Sequence, residues 1–380
     1  MKIRFLFVLI LALITSPLFS WPDVPISNVS CTGQVCDALG ADYKAQLTEL
    51  PYQFQIQYLE KTLKSMSYAN GTSNGFSGVT GMGTINKFQV GGGLNASLYK
   101  DGTVDFKYRD VNVKKLPLAG FSTAPALMAG VNLGWLFGQG SRDEGSSFLN
   151  RFNLYVKGSS LKITSADVKG IMPKTFEYNG YFSFTQMGVM LRFDIIKPST
   201  EGLVFRFQGL NVGLGYSRLN IAGQFDNDKR SNSTFKIGDY QGSWVADSHF
   251  LYGSQMNSIP LDFRTGFLLM RTLTIFIGAG ANRSEGYTRM EISRAGSLKM
   301  SMDPLAVYNY SSLTPSMVPS NLPSPEGYFS VALASKDVSK FTHSFLIAGF
   351  EIDIWKLKLL MEGLVSEHAT SASLGLKLDF

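Results

Sequence analysis

Charge is scarce in this chain. Asp, Glu, Lys and Arg make up 17% of its 380 residues, against about 25% in ordinary soluble domains. The balance is only +6, which gives no support for nucleic acid as a partner. Histidine and cysteine are scarcer still. The three histidines are His249, His343 and His368, and the two cysteines are Cys31 and Cys36 in "CTGQVC". No further Cys or His stands near that pair, so a metal site is not expected there, and the spacing is not C-x-x-C. A structural disulfide in an oxidising compartment is the expected state. The chain has no G-x-S-x-G motif, no Walker loop and no zinc-ligand spacing. No cofactor is expected.

Long apolar runs are also missing beyond the first residues. The uncharged stretch 118–138, "LAGFSTAPALMAGVNLGWLFG", is long enough for a membrane helix. Pro125, Gly120, Gly130, Gly134 and Gly138 argue against a regular one. In strand register Phe121, Leu127, Val131, Leu133, Trp135 and Phe137 share one face. A strand is the reading taken for the whole stretch.

What is present begins with "MKIRFLFVLILALITSPLFS". A basic start, an apolar run from Phe5 to Ile14, Pro17 and a small residue at Ser20 read as a secretory signal peptide over 1–20. Its removal takes Lys2 and Arg4 and lowers the formal charge to +4. No cysteine follows directly, so no lipoprotein cleavage box is seen. Glycine (38 residues) and aromatics (13%) are generous.

A period of two then recurs along the chain. Leu374, Leu376, Leu378 and Phe380 face away from Ser373, Gly375, Lys377 and Asp379. Phe88, Val90, Leu94 and Leu98 oppose Gln89, Asn95 and Ser97; Val212, Leu214 and Tyr216 oppose Asn211, Gly213 and Ser217. Such alternation suits strands with lipid on one side and a polar lumen on the other. About ten strands can be marked (8–12), with connections at 100–118, 138–147, 158–181, 198–202, 222–257, 270–272, 284–341, near Asp353 and at 366–369. Long and short connections mostly alternate. The fold class expected is all-β membrane: a closed antiparallel transmembrane β-barrel over residues 81–380. A strand near 329–334 could change the count.

Residues 21–80 form the N-terminal segment. Beyond Pro51, Phe54, Tyr58, Leu59, Leu63 and Met66 repeat at helical spacing, so a helix pair joined at Pro51 is expected over 41–71, broken by "SYANGTSNGFSG". It is assigned to the periplasmic side, at the barrel rim or as a partial plug, because side chains crowd a narrow barrel.

The last residues, Ser373, Gly375, Leu378 and Phe380, resemble the C-terminal β-signal of outer-membrane proteins. That resemblance implies recognition by the barrel assembly machinery and placement in the outer membrane among its lipids, with outer loops at the cell surface. Aromatic and basic residues in the long connections mark a binding patch: Lys229, Arg230, Lys236, Tyr240, Trp244, Tyr252, Tyr287, Arg289 and Arg294. Arg151, Arg192, Arg264, Lys358 and Glu362 are assigned to the lumen. They would line a pore or, as the favoured reading, form a salt-bridge network filling a closed barrel. Asp247-x-His249 and Asp226-x-Asp228 resemble the residue pairs of the omptin proteases, but here both fall in one connection. No enzyme is expected.

"CTGQVC", the helical segment before "GTINKFQVGGG", and "MAGVNLGWLFGQG" together resemble a leptospiral surface-adhesin family. The resemblance implies surface exposure and binding of host extracellular-matrix or plasma proteins through the long loops. A porin or small-solute channel is the alternative.

Overall fold

The computed structural model describes residues 27–380 apart from 40, 77–79, 110, 143–146, 169–177, 200–201, 203, 238–239 and 302–324. The signal segment lies outside the described residues. Ten antiparallel strands close into a barrel. They are β2 (Phe88–Tyr108), β3 (Val111–Asn132), β4 (Phe152–Thr164), β5 (Tyr178–Ile196), β6 (Phe205–Ile237), β7 (Tyr240–Leu269), β8 (Leu273–Met300), β9 (Glu326–Ile354), β10 (Leu357–Ser366) and β11 (Ala369–Asp379). Each pairs with its neighbour in sequence, and β11 pairs with β2 from Ala369 opposite Tyr99 to Asp379 opposite Gln89. Closure leaves no open edge for the ring, which a lipid-facing sheet requires. Phe380 ends the seam: its N–H and C=O bond Phe88, and the two rings stack at 4.5 Å.

The alternation read from the sequence is realised as an apolar band near the Phe380 end. Leu94, Leu127, Leu214, Phe263, Ile277, Leu346, Met361 and Leu374 all point outward and are exposed. The band takes about ten residues of each strand, as a bilayer needs. Aromatic clusters rim it at that end: Phe88 with Trp135, Phe148 with Phe152 and Phe193, Phe205 with Phe267. Such a girdle suits the membrane interface.

Three sequence expectations need correction. The connections 222–257 and 284–341 are mostly strand, since β6 runs to Ile237, β7 starts at Tyr240, β8 runs to Met300 and β9 starts at Glu326. Beyond the apolar band the outward positions turn polar and apolar residues such as Leu219, Ile221, Met290, Leu298 and Phe329 sit on the inward face, so the period-two pattern changes phase while the backbone ladder continues. Residues 329–334 belong to β9 and add no strand to the barrel. Stretch 118–138 is not one strand: Asn132 caps a short helix α4 (Leu133–Leu136), its side chain accepting from the Trp135 N–H.

The N-terminal segment is corrected most. A small strand β1 (Asn28–Gly33) pairs with Gly327–Ala332 of β9, at the end remote from Phe380. Helix α1 (Gln34–Ala38) follows, then α2 (Ala41–Phe54), a π-helical turn (Gln55–Leu59) and α3 (Glu60–Gly75), with no break at Pro51. The missing Pro51 N–H is followed by the wider π turn, where an i→i+5 pattern absorbs the irregularity. The Ser, Gly and Asn run that should stop a helix is helical to Gly75. Burial overrides weak propensity here, because Ser67 and Ala69 through Gly75 are all inside the barrel. The segment therefore enters from the long-strand end and fills the lumen, as a plug but from the end opposite Phe380, and does not lie at the rim beside Phe380.

Candidate functional site: a filled lumen and a projecting wall

Small residues on both surfaces seat α3. At Gly120 of β3, a Cβ would stand 2.0 Å from the Ser65 carbonyl oxygen, so helix and strand backbones meet without side chains between them. Polar side chains complete the contact. The Asn70 amide donates to the Tyr252 hydroxyl (2.8 Å) and to Ser254 (2.9 Å). The Asn74 amide donates to the Ser217 and Met256 carbonyls (both 3.0 Å). Ser258 and Asn282 both donate to the Gly71 carbonyl at 3.1 Å. Tyr68 stacks on Phe341 at 3.9 Å.

Below the helix, residues 80–87 descend through a ring of paired charges. Arg192 meets Asp262 at 2.8 Å, and Arg264 bridges Asp262 (3.3 Å) and Glu362 (2.9 Å). Lys377 meets Glu351 at 2.9 Å, and Glu351 accepts from the Met82 N–H at 2.6 Å. Gly81, at φ +57°, presents its carbonyl to Arg264. All these side chains are buried. Their charges persist only because each is paired and hydrogen-bonded. Nearer the mouth, Lys358 bridges Asp379 (3.0 Å) and Asp353 (3.8 Å). A hollow of about 540 Å³ opens there, lined by Arg142, Lys197, Arg206, Glu351 and Lys358 among others.

Of the lumen charges assigned from sequence, Arg192, Arg264 and Glu362 therefore share one network, and Lys358 stands at its mouth. Arg151 is not in the lumen. It ends a short 3₁₀ helix (Phe148–Arg151) at the rim and donates to the Ile195 carbonyl at 3.3 Å. Asp262, Glu351 and Lys377 were missed as partners. Their signal was opposite charge at lumen-facing positions of strands that prove to be neighbours.

The binding patch assigned from sequence is divided by strand parity. Trp244, Tyr252 and Arg294 face inward. Trp244 packs on Phe329, donates to its carbonyl at 3.2 Å and lies 4.6 Å under the Arg294 guanidinium. Around it, Leu298, Met300 and Phe329 bury the Cys31–Cys36 disulfide loop, whose Cα atoms are 5.5 Å apart. Tyr287 and Arg289 face outward on β8. The side chains of Lys229, Arg230, Lys236 and Tyr240 lie outside the described residues. Asp226 and His249 are a cross-strand pair joined through His249 Nδ1, and with Asp247 and Ser293 they line a hollow of about 490 Å³ on the outward face of the wall. The side chain of Asp228 lies outside the described residues.

Solved structures align with the chain only distantly. The translocator domain of autotransporter NalP from Neisseria meningitidis aligns at 7% identity over 77% of this chain and 88% of that one, with a TM-score of 0.25. A Pseudomonas aeruginosa FadL homologue aligns at 8% identity over 83% and 98%, with a TM-score of 0.23. A major outer membrane protein from Thermus thermophilus aligns at 8% over 65% and 99%, with a TM-score of 0.22. Scores this low carry no argument, and the barrel rests on its own closed ladder. No curated protein matches the chain. The model of one family spans residues 27–380, from β1 to the terminal Phe380, and the chain, a closed β-barrel, belongs to that Lsa36-like family.

Proposed function

We propose that this protein is a surface-binding, adhesin-like barrel of the outer membrane. The observation that carries the reading is the combination of a filled lumen and a tall wall. Helix α3 and residues 80–87 occupy the interior. Strands β6 to β9 have 33, 30, 28 and 29 residues, roughly 20 more than a bilayer needs. With the Phe380 end in the periplasm, as its resemblance to an assembly signal implies, this wall and the disulfide-bridged segment stand outside the cell. Host extracellular-matrix or plasma proteins are the ligands suggested by the resemblance to surface adhesins. The test joins β6 to β7 and β8 to β9 just beyond the apolar band and measures binding of whole cells to immobilised matrix protein. Loss of binding with an intact barrel is expected. Retained binding sinks the reading.

A channel is the second reading, favoured by the charged hollow at the Phe380 end. It requires α3 to leave the lumen. Discrete conductance of the intact protein in planar bilayers would support it. No catalytic role is proposed for Asp226 and His249, which form a half-buried pair on the wall; peptidase activity lost in His249→Ala would overturn that.

A further inference from the structure

Just past the apolar band, the outward face of the wall gathers cations from three strands around one tyrosine. On β6, Tyr216 is the last exposed residue of the band, and its hydroxyl donates to Asn257 of β7 at 3.1 Å. The next outward position is Arg218, directly opposite Asn257. Arg218 is only 9% exposed although it stands on an outward face, and its Nε has no hydrogen-bond partner among the described residues. On β8, Tyr287 and Arg289 face the same way. Gly253 of β7, opposite Arg289, leaves the wall bare, and a Cβ there would lie 3.2 Å from Arg289 Nε. Lys336 of β9, opposite Arg289, holds its ammonium 5.0 Å from the Tyr287 ring centre.

Burial raises the Tyr287 phenol above its ordinary value, while Arg289 and Arg218 act in the opposite sense. Both guanidiniums therefore lie close enough to influence one hydroxyl. Of the carboxylates on this face, Glu285 reaches Lys340 at 3.9 Å, and Glu291 follows Arg289 on the same face of β8. A guanidinium taken out of water with an unbonded Nε is costly unless an acceptor arrives. Oxyanions with several acceptor oxygens suit such a fork.

We propose that Arg218, Tyr287, Arg289 and Lys336 form a binding site for the phosphate of a membrane lipid, its acyl chains lying along the apolar band below Tyr216. A lipid phosphate is favoured over a free one by position, because the cluster continues the band upward at headgroup level. The inference rests on the wall standing outside the membrane, and thus deepens the surface-barrel reading without using its host ligand.

The test is native mass spectrometry of the full protein in non-ionic detergent, titrated with a bis-phosphorylated lipid A-type glycolipid and with the same lipid stripped of phosphate. The phosphorylated lipid should bind at least about tenfold tighter, since one charge-assisted hydrogen bond corresponds to roughly that factor. Arg218→Gln with Arg289→Gln should remove the difference. Lys336→Gln, an exposed change that spares the fold, should reduce it. Heat-dependent gel mobility reports whether each variant keeps its barrel, which separates failure of the site from failure of the barrel. Equal binding of the two lipids, or an unchanged ratio in Lys336→Gln and the double variant, overturns the site. Inorganic phosphate binding as tightly as the lipid overturns the lipid assignment.

Discussion

Gly120 shows how much of this protein depends on single small residues. Any side chain there meets the Ser65 backbone, not a side chain that can move aside. Gly120→Val should therefore cost about 1–3 kcal/mol through overpacking and loosen α3. The check is proteolysis of residues 60–75 in the folded protein, which should become faster than in the parent. Glu362 is a second such point. It is one of two carboxylates holding the buried Arg264, so Glu362→Ala leaves that cation under-paired in a dry site. A loss of about 3–5 kcal/mol is expected, seen as a lower temperature for the mobility shift on heating. At this scale the sequence was partly legible. The polar parity of Asp262, Arg264, Glu351 and Lys377 could be read from alternation. Their pairing could not, because it depends on which strands become neighbours and at what register.

Among the elements, α3 is the one that sequence reasoning placed least well. Its last six residues, Asn70 to Gly75, are all poor helix formers. Bulkier helix formers would not fit between β3, β7 and β8, so the lumen selects the small polar residues that propensity penalises. Removing residues 60–75 should open the lumen, and planar-bilayer recording should then show conductance absent from the intact protein. A barrel that stays closed after this removal would mean that the charged ring alone seals it. The β1–α1 cap is a separate element. Replacing Cys31 and Cys36 by serine should cost about 2 kcal/mol locally, the entropy of a six-residue loop. Faster protease cutting within 28–59 is expected, with heat-dependent mobility of the barrel unchanged.

For the whole molecule, the outcome to measure is closure. Phe380 stacks on Phe88 and bonds its backbone, so the chain's last residue pins the seam between β11 and β2. Deleting Phe380 should lower the amount of heat-shifting barrel recovered from membranes, while the precursor is still made. Undiminished recovery would separate this residue from assembly. The ten-strand ring and its apolar band were legible in the sequence alone, because lipid on one face and polar contents on the other impose a strict period of two on every strand within the bilayer. Beyond the bilayer water wets the outward side of the wall, the apolar positions shift to the inward face, and the outer parts of β6 to β9 looked like loops. The path of the N-terminal segment was hidden for a different reason. Whether a weak helix sits beside a barrel or inside it is set by the complementarity of two surfaces more than a hundred residues apart, such as Gly71 against Asn282, and no local pattern encodes their meeting.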